Sequence, residues 1–275
     1  MAVSLDEQLI QELALRREQR WSLYDHPNLI RAGSVMIFLI LWEFYGRRVD
    51  PLLLTYPTAV AWAAVQLIWS GELIRQLLVS LGSLAAGFGA SLLLGVGLGV
   101  AMGRSRLAEA ILDPHVNALY ATPQVALIPL LMMWFGLGFG VKVVVIFLFV
   151  FFPILINTVS GVKNVSASMV EVGRAYLASE RQILFKVVFP AAVPFIMAGV
   201  RLAVGRGLVG MIVAELFTAI TGLGAMLTLY GNLFETARMF VVIIVLGLLG
   251  IGLIQATQML ERRMARWKET ERAVN

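Results

Sequence analysis

Residues 73–102 read LIRQLLVSLGSLAAGFGASLLLGVGLGVAM, and after Arg75 this run carries no charged side chain. A helix rises ~1.5 Å per residue, so ~20 apolar residues cross a hydrocarbon core of ~30 Å. The run is long enough by itself. Gly82, Gly87, Gly89, Gly95, Gly97 and Gly99 recur in it at small-xxx-small and tighter spacings, the pattern by which membrane helices pack backbone to backbone.

Other stretches follow the same rule. Apolar runs predict spans over about 29–44, 141–158 with Pro153 inside it, 192–219 and 240–259. The segment 107–134 is interrupted by Pro114, Pro123 and Pro129. Prolines leave carbonyls unpaired, which predicts a broken helix buried by its neighbours. Residues 47–71 are broken by Pro51 and Pro57, and 58–69 read as a short interfacial helix. The fold class expected is all-α, a polytopic membrane protein with about six transmembrane helices.

Composition agrees. The 275 residues are 59% hydrophobic and 14% charged, with a mean hydropathy of +0.85, well above the ~45–50% apolar share of soluble domains. The net charge of +5 comes from basic residues scattered among apolar spans, so nucleic acid is not the expected partner. With no cysteine and two isolated histidines, His26 and His115, thiolate and histidine metal sites are not expected.

The expected organisation has three parts. Residues 1–28 hold a cytoplasmic amphipathic helix, with Leu5, Leu9 and Leu13 at helical spacing. Its length and polarity argue against a removable signal peptide. Residues 29–262 form the transmembrane domain, with a core over 73–262 and a polar loop over 160–190, and 263–275 form a basic cytoplasmic tail. If the N-terminus is cytoplasmic, 15 of the 22 Lys and Arg residues fall on that side, five on the other (Arg47, Arg48, Arg75, Lys142, Arg238), and Arg201 and Arg206 are embedded. Both termini and the loop then face the cytoplasm.

Within that loop, residues 168–194 read SMVEVGRAYLASERQILFKVVFPAAVP. This stretch resembles the coupling loop of importer permeases in the ATP-binding-cassette superfamily, which opens on Glu-Ala-Ala, has Gly six residues after the Glu and closes on Leu-Pro. The matching positions are Glu171, Val172, Gly173, Leu177, Phe189 and Pro190; Val and Gly replace the two alanines, and Leu177 stands at the usual Gly. Arg174, Ala175, Ala178 and Ser179 complete the candidate contact. Read from residue types alone, the stretch is also compatible with a plain solvated connection. The runs 121–142, 190–216 and 221–250 look like the permeases of the nitrate, sulfonate and taurine importers.

That resemblance implies the type I importer arrangement, with a second permease copy, a cytoplasmic ATPase dimer and a periplasmic or lipid-anchored binding protein as partners. It implies a small anion as solute, such as nitrate, bicarbonate, taurine or another sulfonate. ATP and magnesium belong to the ATPase. This chain has no G-x-x-x-x-G-K-[ST] loop, no nucleophile elbow and no H-E-x-x-H helix, so neither ATP hydrolysis nor another enzymatic activity is expected of it.

Charges inside a span are functional candidates by default. Here they are Arg201, Arg206 and Glu215, and Pro123, Gln124 and Trp134 of the broken segment join them as residues that line a path in the resembling architecture. Arg201 and Glu215 lie ~21 Å apart along one helix, too far to pair. Two readings stand side by side: positive potential along an anion path, or charges neutralised by freed carbonyls and by carboxylates on other helices. Met132 and Met133 read as adaptable core filling. A self-sufficient secondary transporter or channel would instead use Arg206 and Glu215 for coupling ions, and should show inverted repeats. An intramembrane enzyme or scaffold would need polar residues clustered at one depth, and 73–102 and 240–259 offer almost none.

Overall fold

The computed structural model describes residues 27–218 and 220–264. Their regular structure is helical: α1 (Pro27–Gly46), α2 (Pro57–Trp69), α3 (Glu72–Arg104), α4 (Arg106–Ala121), α5 (Ile128–Phe135), α6 (Phe139–Lys163), α7 (Ala167–Ala175), α8 (Glu180–Ile183), α9 (Phe189–Thr218), α10 (Leu223–Asn232) and α11 (Thr236–Met264), with a 3-10 turn at Gln124–Leu127 and a π turn at Leu184–Val188. Among the described residues five helices are long and apolar enough to cross a membrane, and a sixth span is made if α4 and the bent segment ending in α5 count as one. The chain is a multi-pass membrane protein. The amphipathic helix expected before residue 28 and most of the tail beyond 262 lie outside the described residues.

The chain divides into two compact units, residues 1–61 and 62–275. In the first, the end of α1 is stitched to the loop that follows it. The Trp42 indole donates to the Thr55 carbonyl at 2.8 Å, and the Glu43 carboxylate accepts Arg47 Nε at 2.6 Å and the Thr58 amide at 3.0 Å.

In the second unit, sequence chemistry sets where helices stop. Ser105 is extended and serves two helices, closing α3 and capping α4 by accepting the Ala108 amide at 3.2 Å. Thr122 is forced to φ −71°, ψ 131° because Pro123 crowds the α region for the residue before it. The chain then turns by 89°. Pro129 follows in the first turn of α5, where its missing N–H costs no bond.

The core is built on α6, which packs against α3 on one side and α9 on the other. The α3 contact is a four-residue repeat of small side chains: Gly87, Ser91, Gly95, Gly99 and Gly103. A methyl group at Gly87 would lie 2.7 Å from Ile146 Cγ2, at Gly95 3.1 Å from Ile154 Cγ2 and at Gly99 2.6 Å from Thr158 Cβ. The Ser91 hydroxyl lies 3.0 Å from the Phe147 carbonyl. Gly82, Gly89 and Gly97 face open space, so half of the glycines in the sequence pattern form the contact.

The broken segment is buried unevenly. In α5, Ile128 and Leu131 enter a cluster with Val141, Val145, Phe149 and Ala214, and Met132 packs against it. Met133 instead points outward at 81% exposure, contrary to the core role expected of it. In α4 no residue is fully buried; Leu112 and Val116 pack against the cluster of Met102, Phe151, Phe152 and Leu155, and the Tyr120 ring lies 5.6 Å from that of Phe152. The expectation that the whole segment is buried by its neighbours therefore fails for α4.

Candidate functional site

The first candidate is the loop between α6 and α9. It forms one short helix, α7, and then α8, which runs through the π turn into α9. At the end of α7, the Leu177 amide donates to the Arg174 carbonyl at 2.9 Å and the Ala178 amide to the Gly173 carbonyl at 3.0 Å. These two bonds make a Schellman turn, whose first residue beyond the helix takes the left-handed conformation and is usually Gly. Leu177 adopts it, with φ 57°. The turn survives the missing glycine.

Ser179 then opens α8 with a capping box: its hydroxyl accepts the Gln182 amide at 3.3 Å, while Gln182 Oε1 accepts the Ser179 amide at 2.8 Å. Glu180 holds the loop in place by bridging Arg174 at 3.1 Å and Arg104, at the end of α3, at 2.5 Å. Ile183 is wholly buried beneath Gly173, whose missing side chain leaves the room. Pro190 has no amide for the Lys186 carbonyl, and the backbone widens into the π turn, with the Phe189 amide bonding to the Leu184 carbonyl. Glu171 and Ala175 stay exposed.

The loop's outer surface is apolar. Met169, Val172 and Tyr176 share one face of α7 and are 56%, 57% and 83% exposed, with Leu177 beside them at 93%. Ser168, Met169, Val172, Lys186 and Val187 border an open groove of about 420 Å³.

The second candidate is the set of charges within the spans, and the structure gives each a different setting. Arg201 pairs with Glu261 of α11. Arg206 lies exposed on α9, donating Nη2 to the Tyr120 hydroxyl at 3.2 Å, with its guanidinium 5.5 Å from the centre of that ring. Glu215 is fully buried. The Ser80 hydroxyl donates to its carboxylate at 2.8 Å, the Gly224 amide donates at 2.9 Å, and Lys142 Nζ lies 3.7 Å away.

Lys142, counted above among the basic residues of the outer side, is 2% exposed near the start of α6, where it also donates to the Thr221 carbonyl at 2.5 Å and hydroxyl at 2.9 Å. The same cluster caps α10. The Gly222 amide donates to Gln76 Oε1 at 2.7 Å and the Leu223 amide to Ser80 Oγ at 2.9 Å, while Glu215 takes the Gly224 amide, so side chains of α3 and α9 satisfy the amides that a helix start leaves open. At the other end of α10 the Tyr230 hydroxyl donates to Glu72 at 3.0 Å, and burial together with that carboxylate pushes the phenol up to about 12. Gln76 and Ser80 also qualify the expectation that α3 holds almost no polar residue.

Pro123 is exposed, and Trp134 is 67% exposed. Gln124 is half-buried, and its side chain donates to the Leu148 carbonyl at 3.1 Å, tying the broken segment to α6. Among the described residues no three or more His, Cys, Asp and Glu side chains converge to hold a metal. Sequence reasoning missed Tyr120, Lys142, Ser80, Gln76 and Glu261 as partners; only the polar character of Glu261 at the end of an apolar run signalled one of them.

The sequence of this helical bundle matches a known family profile. The profile of the binding-protein-dependent transport system inner membrane component matches residues 91–266. The chain belongs to this family. Among relatives of the permease, the taurine transport system permease protein TauC of Escherichia coli (strain K12) is 30% identical over 274 residues, covering 97% of this chain and 98% of that protein. The putative aliphatic sulfonates transport permease protein SsuC of the same strain is 37% identical, covering 90% and 94%. The riboflavin transport system permease protein RibX of Chloroflexus aurantiacus is 32% identical, covering 89% and 92%. In fold, the permease is similar to the inward-facing MetNI methionine ABC transporter, with a TM-score of 0.58 at 20% identity over 73% of this chain and 98% of that one. It is equally similar to an amino acid ABC transporter with histidines, at a TM-score of 0.58, 14% identity and 72% and 97% coverage. Its architecture is that of type I importer permeases.

Proposed function

We propose that this permease forms the translocation path of an ATP-driven importer for a small organic anion, with a sulfonate such as taurine as the first candidate. The observation that carries the reading is the loop over 160–190: two short helices locked by a Schellman turn, a capping box and the Glu180 bridge, presenting Met169, Val172 and Tyr176 outward. A partner that pushes on this loop moves α3 and α9 with it, because Arg104 and the π turn join it to both. ATP and magnesium act in that partner, and a second permease copy and a solute-binding protein complete the assembly. Both termini and the loop face the cytoplasm, as the distribution of Lys and Arg favours.

The names of TauC and SsuC, together with Arg206 on an exposed face of α9, support the choice of solute. The name of RibX makes riboflavin the comparison solute. The secondary-transporter reading loses support at Glu215, whose carboxylate is enclosed by Ser80, Gly224 and Lys142.

Uptake of labelled taurine, an alkanesulfonate and riboflavin by cells expressing the permease with its partner subunits tests the proposal. Sulfonate uptake should stop on ATP depletion and survive collapse of the proton gradient. Uptake that follows the gradient and ignores ATP would reverse the assignment, and uptake of riboflavin alone would remove the anion.

A further inference from the structure

The helix that carries the loop into the bundle changes its rotational phase once. α8, the π turn and α9 run without a break from Glu180 to Thr218. From Val188 onward the buried positions recur every three or four residues, at Ala192, Ile196, Val200, Ala203 and Gly207, as an α-helix with one packed face requires. Backward from Val188 the next fully buried side chain is Ile183, five positions away. Five residues of plain α-helix would set these two ~140° apart. The π turn holds one residue more per turn and brings them back toward one side.

Independent contacts fix the phase on each side of the turn. α9 is set against α6 by missing side chains: a methyl group at Gly199 would lie 2.7 Å from Asn157 Cβ, and one at Gly210 2.9 Å from Phe149 Cγ. α8 is set against α7 and α3. Ile183 lies beneath Gly173, where a methyl group would come 3.3 Å from Ile183 Cγ1, and Glu180 reaches both Arg174 and Arg104. The turn itself lends Lys186 and Val187 to the open groove, opposite Met169 and Val172 of α7. An unbroken α-helix would serve one set of contacts or the other, because it would turn α8 by about one residue, ~100°, against α9.

We propose that the π turn is a phase adjuster and that Pro190 is the positioning residue that holds it. Proline offers no amide to the Lys186 carbonyl, so the α turn that would swing Glu180 away from Arg104 gains no bond there. Acting through Glu180, Pro190 keeps the loop joined to α3 as well as to α9, so that a push on the loop reaches two helices instead of one. The consequence for transport rests on the proposed import function; the phase does not.

The chain contains no cysteine, so Arg104→Cys with Glu180→Cys supplies its only two thiols. In the intact complex in membranes they are joined by a bis-methanethiosulfonate whose reach matches the bridge they replace, and the cross-linked chain is identified by mass. Pro190→Ala restores the amide and should lose most of the cross-link. Pro190→Ala with Phe185 deleted is one residue shorter through the turn, so a plain α-helix joins Ile183 to Val188 in the original phase, and the cross-link should return. Phe185 is 59% exposed, so the deletion removes no core side chain. Pro194→Ala, four residues further into α9, should leave the cross-link unchanged. With Arg104 and Glu180 kept, the solute taken up per ATP hydrolysed should fall in Pro190→Ala and recover with the deletion.

An undiminished cross-link in Pro190→Ala, or one that the deletion fails to restore, would overturn the phase role and leave the proline a simple break in the helix. Loss of the cross-link in Pro194→Ala would overturn it too, since any proline would then serve. A constant uptake ratio beside a lost cross-link would overturn the link to transport. If Pro190→Ala does not reach the membrane, the shortened variant decides alone, by cross-linking as the parent pair does or failing to. Cross-linking needs neither ATP nor solute, so its failure leaves the import reading standing, and failed sulfonate uptake leaves the phase standing.

Discussion

Leu177 occupies a left-handed backbone position, which costs a residue with a β-carbon roughly 1–2 kcal/mol. Leu177→Gly should therefore steady the loop by about 1 kcal/mol, slowing hydrogen exchange of the amides at 177 and 178 about fivefold; faster exchange would show that the leucine makes a compensating contact. Glu215 carries the opposite kind of test. Removing one member of a buried ion pair costs about 3–5 kcal/mol, while removing both costs less than the sum. Lys142→Met and Glu215→Gln should each lower the melting temperature in detergent, and the double variant should recover part of the loss. Additive losses would mean that the two groups do not act as a pair. Arg206→Gln should lower anion uptake with assembly unaffected, and wild-type uptake would end its pathway role. Sequence reading found the rarity of these charges but not their settings, because periodicity along one chain cannot show which residue of another helix lies opposite. Lys142 entered the sequence reading only as one of the basic residues of the outer side, and only the fold brings Thr221 and Glu215 to its ammonium.

At the scale of elements, the contact between α3 and α6 rests on the absence of side chains. Gly99→Val would drive its side chain into Thr158, whose Cβ lies 2.6 Å from where a β-carbon at position 99 would stand, and overpacking of this kind costs about 1–3 kcal/mol. The yield of detergent-stable protein should fall, whereas Gly97→Val, facing open space, should leave it unchanged. A reversed order would place the α6 contact on the wrong face of α3. The span limits were legible to within a few residues, since hydropathy and prolines act locally: the break expected in 107–134 occurs at Thr122–Pro123. Which glycines form the contact was not legible, because both sets share similar spacings and only the position of α6 separates them. The burial expected for α4 failed for a related reason: prolines mark where a helix breaks, not which neighbours lie against it.

For the whole molecule, the loop over 160–190 links the fold to its work. Its resemblance to a coupling loop rests on Glu171, Gly173 and Pro190, with a departure at Leu177, and the structure adds what residue types could not: the bridge from Glu180 to Arg104, which fastens the loop to α3, and the π turn that delivers it into α9. The central claim is that an ATPase grips this loop. The direct measurement is mild detergent extraction of the tagged permease, followed by identification of what co-purifies with the wild type and with a variant whose residues 174–181 are replaced by a Gly-Ser linker. A P-loop ATPase that accompanies the wild type and is lost from the variant is the predicted result. An ATPase that never associates, or that stays bound without residues 174–181, would contradict it.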